Sequence, residues 1–272
     1  MEGQTLSELI TEILLKDRTT GQNILWANSE YGAKEIRSED IQLIRPRHEK
    51  NREHQKSRTK NRAEIFTPPE ICKIQNDLID ADKKLWTDYV DAKFLEITCG
   101  EAPYLVNLYN AVTGEPIKIE NRVGLLDRKL RVVNRETKVL PDWTEWTLRA
   151  VQSVYGYEFQ GDNLFLARQN VYQTVVEYFQ EKFSYKPPED FLIKIAEIIS
   201  WNLWQMNGLT NAIPYANINH QGSLEGFGSP VDLHEKIYCR IKDWNTGDEL
   251  EYRDLLKGAY RRNCSRKVSN TN

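Results

Sequence analysis

Apolar residues recur at spacings of three and four over Leu6, Leu9, Ile10, Ile13 and Leu14, which predicts a short amphipathic helix capped near Thr5 or Ser7. DRTTGQN, 17–23, then reads as a turn. A second helical pattern runs through Ile71, Ile74, Leu78 and Ile79. Thr67 before Pro68 and Pro69 gives it a capping hydroxyl and a proline start, and Glu70 completes a capping box. FLEIT, 94–98, has the apolar and β-branched content of a strand, and CGEAPYLVNLYNAV, 99–112, turns into an expected helix. RVGLLDRKLRVVN, 122–134, fits two readings: a strand to Asp127 followed by a helix, or one helix throughout. Helices are expected over 141–156, 171–183 and 191–206, the last apolar on nearly every side and so deeply buried. YEFQGDNLFLAR, 157–168, reads as a strand interrupted at Gly161-Asp162-Asn163.

From Asn207 to Pro230 the chain turns to Asn, Gly, Ser and Pro, the mark of a long loop. IYCRIKDW, a TGDE turn and ELEYRDLL suggest a closing hairpin or strand–helix pair. Residues 258–272 are nearly devoid of apolar side chains and read as a disordered basic tail. The expected organisation is an N-terminal helical segment and basic arm over 1–60, one α/β domain over 61–257, and the tail.

Composition narrows the class. With 40% hydrophobic and 28% charged residues the chain can bury a substantial core, yet no apolar run reaches the length of a membrane span. The first residues resemble neither a secretory signal nor a transit peptide, so a cytoplasmic location with reduced thiols is the expectation. Cys72, Cys99, Cys239 and Cys264 show no CxxC spacing and the four histidines are scattered, which argues against structural zinc. The net charge is −3, so contact with nucleic acid needs a local basic patch. Residues 45–62 supply one: eight Lys or Arg stand against two Glu, a local net charge of +6. Such a run is either a solvated helix face or an arm lying on phosphates. Arg45, Arg47, Lys50, Arg52, Lys56, Arg58 and Lys60 are its DNA-binding candidates, without aromatics for base stacking.

FTPP at 66–69, FLEITCGEAPYL at 94–105 and FQGDNLF at 159–165 stand in an order that resembles the adenine-N6 DNA methyltransferases of restriction–modification systems, specifically the restriction methylases or restriction endonuclease M subunits. The resemblance covers about Arg58 to Trp244. It implies a Rossmann-like core for S-adenosyl-L-methionine, here incomplete against the family's seven strands and with added N-terminal helices. Phe66, Thr67 and Pro68 match the segment that holds the methionine end of the cofactor, where a helix N-terminus offers free N–H groups. Glu96, Cys99, Gly100 and Glu101 match the first strand and its turn, with Ala102 in place of the usual second glycine. Asp127 is the candidate acid for the ribose hydroxyls, and Asp162 and Asn163 match the end of the third strand near the adenine. Implied partners are double-stranded DNA and a restriction endonuclease or specificity subunit, with no membrane.

One departure concerns the chemistry. Adenine-N6 transfer in the family uses Asn- or Asp-Pro-Pro-aromatic, whose polar groups accept from the target amine while the ring stacks on the flipped base. This sequence offers NAIPY, 211–215, making Asn211, Pro214 and Tyr215 the catalytic candidates. A catalytically inactive DNA-binding or assembly protein on the same scaffold is the competing expectation.

Overall fold

A computed structural model describes residues 4–28, 30–62, 67–79, 85–217 and 236–257. Phe66, the 218–230 part of the expected loop and the 258–272 tail lie outside these residues. The expected N-terminal helix is present as α1 (Leu6–Leu15), where Thr5 Oγ1 accepts the Glu8 N–H at 3.3 Å and Glu8 accepts the Thr5 N–H at 2.8 Å. The basic run forms α2 (Arg52–Arg62), the Thr-Pro-Pro segment leads into α3 (Pro69–Ile79), and α4 (Trp86–Asp91) precedes the first strand, β1 (Phe94–Ile97).

No helix follows β1. The chain makes successive turns over 99–106, for two local reasons. Pro103 has no N–H to donate, and Thr98, Gly100 and Ala102 take left-handed φ values of 50°, 55° and 62°. Residues 122–134 resolve in favour of the helical reading: α5 (Leu125–Glu136) starts after Gly124. Asp127 therefore lies in a first helical turn and not at the end of a second strand. The helix wins because Leu126, Leu130 and Val133 recur on one face and are fully buried.

α6 (Leu140–Gln152) has Pro141 in its first turn and delivers β2 (Val154–Glu158). The expected strand over 157–168 gives way to a 23-residue helix, α7 (Gly161–Phe183), so Asp162 and Asn163 open a helix instead of ending a third strand. Gly161 permits this junction. A Cβ there would lie 1.9 Å from the Leu25 carbonyl oxygen, and its N–H donates to Trp26 O at 3.0 Å. α8 (Glu189–Asn202) stops short of the expected 206. The fully enclosed Asn202 amide donates to Val151 O (3.0 Å) and Val154 O (2.9 Å), turning the chain alongside β2 as β3 (Leu203–Gln205). The expected loop instead begins with a strand, β4 (Ala212–Asn217), paired antiparallel with β5 (Lys236–Tyr238). β6 (Arg240–Lys242), β7 (Glu249–Glu251) and the short α9 (Tyr252–Leu256) end the described chain.

The architecture is mixed α/β. A parallel sheet of three described strands runs in the order β1-β2-β3, with Glu96 opposite Gly156 and Tyr157 opposite Trp204. Its crossovers are helical, as parallel connections require. Below the sheet Trp143 stands edge-on to Phe179 and Phe183 at ring separations of 5.2 and 5.6 Å. Leu14 and Leu15 of α1 join the same core as Phe165 of α7 and Ile195 of α8. Lys129, fully buried on α5, donates to Val90 O at 2.9 Å, to Ala92 O and to Ser153 Oγ, fixing the chain where it enters β1. No helix among the described residues is long and apolar enough to cross a membrane.

Candidate functional site

Ligands of parallel α/β sheets bind beyond the carboxyl ends of the strands, and here that edge carries the polar cluster of the fold. β1 ends in the Cys99-Gly100-Glu101-Ala102 turn. The Cys99 N–H donates to Tyr157 O at 2.9 Å and so aligns the turn against β2. The Gly100 N–H then donates to Glu158 Oε2 at 2.9 Å, while Glu158 Oε1 accepts the Gln160 N–H at 3.1 Å. Glu158 is buried, and burial pushes its carboxyl above the usual range, against the pull of the Gln160 and Gly100 N–H groups.

Glu96 points from β1 toward the same turn, accepting the Tyr104 N–H at 3.3 Å. Its Oε2 is enclosed without a hydrogen-bond partner among the described residues. Burial raises this carboxyl to about 8. The Glu96 charge is felt across the gap to α3, where burial first and Glu96 second push the Cys72 thiol up to about 12. At the Thr67-Pro68 end of α3, Pro68 O accepts the Ile71 and Cys72 N–H groups. Glu101 is engaged structurally: its carboxylate accepts the Arg47 N–H at 2.8 Å and the Tyr109 hydroxyl at 2.6 Å.

Asp162 and Asn163, at the start of α7, receive the basic arm. Arg58 donates to Asp162 Oδ2 at 2.7 Å, to Asp162 Oδ1 at 3.1 Å and to Asn163 Oδ1 at 3.2 Å. Lys50 Nζ stands 3.5 Å from Asp162 Oδ2. Burial disfavours the Asp162 charge, but Arg58 and Lys50 outweigh it and hold the carboxyl below its ordinary value. Two of the seven arm cations expected on DNA are therefore turned inward. Arg45 pairs with Glu49 at 3.8 Å, and Lys56 and Lys60 are exposed.

Asp127 is not part of this edge. It accepts the Asn107 N–H at 2.9 Å, and burial lifts it to about 7. The acid that the strand ends bring together with Gly100 is Glu158. Its signal was present in VYGYE, an aromatic and β-branched run ending in an acid, the same format as FLEIT. NAIPY reaches the edge from β4. Pro214 is buried, and Tyr215 is half exposed with its ring edge-on to Phe159, the residue after Glu158, at 5.8 Å. Asn211 and Tyr215 both have left-handed φ values, 58° and 57°. The Asn211 N–H donates to Asn207 O at 2.8 Å.

The far side of the edge is closed by Gln205, the last residue of β3. Its Oε1 accepts the Leu25 N–H at 2.7 Å, and its Nε2 donates to Leu25 O at 2.7 Å and Phe159 O at 2.8 Å. Compared with known proteins, the chain matches no family model, no curated protein and no solved structure.

Proposed function

We propose that the chain binds S-adenosyl-L-methionine beyond the ends of β1 and β2 and serves adenine-N6 methylation of DNA in a restriction–modification system, as the methylating chain or its cofactor-binding subunit. The observation that carries this reading is the Gly100–Glu158 contact: a glycine turn after one parallel strand, hydrogen-bonded to a buried acid ending its neighbour. Glu158 replaces Asp127 as the acid for the ribose hydroxyls. Each carboxylate oxygen has two acceptor positions, so Glu158 can still accept a ligand hydroxyl after bonding Gly100 and Gln160. The unpartnered Glu96 Oε2 fits a ligand donor as well. When bound, the cofactor would supply an activated methyl group. The protein's part is to hold it by Gly100, Glu158 and the α3 end, with Tyr215 beside Phe159 as the surface on which a flipped base would stack.

Isothermal titration of the folded chain with S-adenosyl-L-methionine or S-adenosylhomocysteine tests the reading. Saturable heat, lost in Glu158→Ala, supports it; no heat at millimolar ligand rejects it.

One observation favours a second reading, a catalytically inactive DNA-binding or assembly protein on this scaffold. NAIPY has its Asn one residue too far from Pro-Tyr, and the Asn211 backbone is fixed by the Cys239 N–H at 3.0 Å as well as by Asn207. Cofactor binding without methyl transfer to DNA by the isolated chain would select it.

A further inference from the structure

A second positive surface lies away from the arm. Six cations, Lys73, Arg122, Arg128, Arg131, Arg135 and Lys182, line one open groove of about 1090 Å³ against three carboxylates. Counting also Glu177 and Glu136, which pair with Arg122 and Arg135, the local net charge is +1 on a chain whose total is −3. Arg128, Arg131 and Arg135 recur at three and four residues along α5, opposite the face that buries Leu126, Leu130 and Val133. Their Cα atoms span roughly 10 Å along the helix axis, about three steps of one DNA strand.

Arg122 lines the groove as a nearly buried cation. Its side chain is 6% exposed and pairs with Glu177, and Nε donates to Ile117 O at 3.1 Å. Nη1, however, is enclosed with no hydrogen-bond partner among the described residues. Apolar lining is confined to Tyr89, Val123 and Val132, too little for the buried anchor a protein segment would need.

We propose that this groove binds the phosphate backbone of double-stranded DNA. The proposal extends the DNA half of the function given above, moving the contact from the arm to α5, and is independent of cofactor binding.

Fluorescence anisotropy of the full chain with a fluorescein-labelled duplex of about two helical turns tests it. Lys73→Glu/Arg135→Glu is the groove variant; both side chains are exposed, at 57% and 70%, so the fold should be kept, as an unchanged thermal melt will show. It should weaken binding about tenfold or more and lower the slope of log affinity against log salt by about 2. Lys56→Glu/Lys60→Glu on the arm should change affinity less than about twofold. The proposal is overturned if the wild type does not bind the duplex at low salt, if the groove variant binds like wild type, or if the arm variant carries the loss. Displacement by polyglutamate as effective as by unlabelled duplex would also overturn it, in favour of an acidic protein partner. Cofactor titration of the same preparations is a separate readout, so failure of either reading leaves the other standing.

Discussion

Arg58 holds Asp162 with two hydrogen bonds, 2.7 and 3.1 Å long, across 104 residues of sequence. Both side chains are nearly enclosed, at 13% and 5% exposure, so removing one leaves the other charged in a place with little water. Arg58→Ala should therefore cost about 3 kcal/mol and lower the melting temperature by roughly 6–12 °C. Lys50→Met/Arg58→Met/Asp162→Leu should cost less than the Arg58 or Asp162 single change, because with Lys50, 3.5 Å from Asp162, also replaced, no charge is stranded. Thermal melts of the three variants measure this. Additive losses would show that the two residues act separately.

Ala102 occupies the place of a second glycine and also adopts a glycine's conformation, with φ of 62°. Its methyl is fully buried. Ala102→Gly relieves about 1 kcal/mol of left-handed strain and gives up about 0.8 kcal/mol of methyl burial. Stability should be nearly unchanged. A urea midpoint differing by more than about 1 kcal/mol in either direction would show that one of these effects is absent.

Glu96 and Asp127 make stability fall with rising pH. Their carboxyls ordinarily titrate at 4.5 and 3.8, but burial moves them in the folded chain to about 8 and about 7. Between those limits the folded state holds protons that the unfolded state has released, so each rise in pH favours unfolding. Asp162 acts in the opposite sense, but its contribution is lost only as pH falls through a value below 3.8, outside this window. Glu96→Gln, which keeps an acceptor for the Tyr104 N–H, should flatten the profile of urea midpoint against pH between about 5 and 8. A profile as steep as that of wild type would refute the assignment.

Lys129 is a buried cation whose partners are backbone carbonyls and a serine hydroxyl. Lys129→Met would fill the same space while stranding the Ala92 carbonyl and loosening the entry to β1, although Ser153 Oγ still donates to Val90 O at 2.8 Å. The expected cost is about 2–3 kcal/mol, by chemical denaturation. Leu78→Gln on α3, where the side chain is 77% exposed, should cost less than about 0.5 kcal/mol.

The elements legible in the sequence were those set by local chemistry. α1 followed from its spacing and capping box, β1 from FLEIT, and α6 from the Pro141-Asp142 start. Junctions decided by distant partners were not legible. α8 passes into β3 because the Asn202 amide finds carbonyls about fifty residues back, and Gly161 opens a helix because the Leu25 carbonyl leaves no room for a side chain. The site shows the same division. Gly100 could be singled out from its turn, whereas Asp127 could not be assigned to a strand end or a helix, because an acid within a β-like run looks the same whether a strand or a helix carries it. Only the pairing of Glu96 with Gly156 brings Glu158 beside Gly100. The inward turn of Lys50 and Arg58 depends on where α7 begins, which no count of charges reveals.

The clasp between Leu25 and Gln205 closes over 180 residues of chain. At the usual pace of synthesis, about 5–20 residues per second, that separation is roughly 9–36 s. Leu25 leaves the ribosome with its Gln205 partner still untranslated, so the early segment keeps only its local pairings, such as Leu25 with Glu35, until β3 arrives. Its polar composition between Lys16 and Asn23 suits that wait. The β1–β2 edge is thus closed on its β3 side only late in the birth of the molecule.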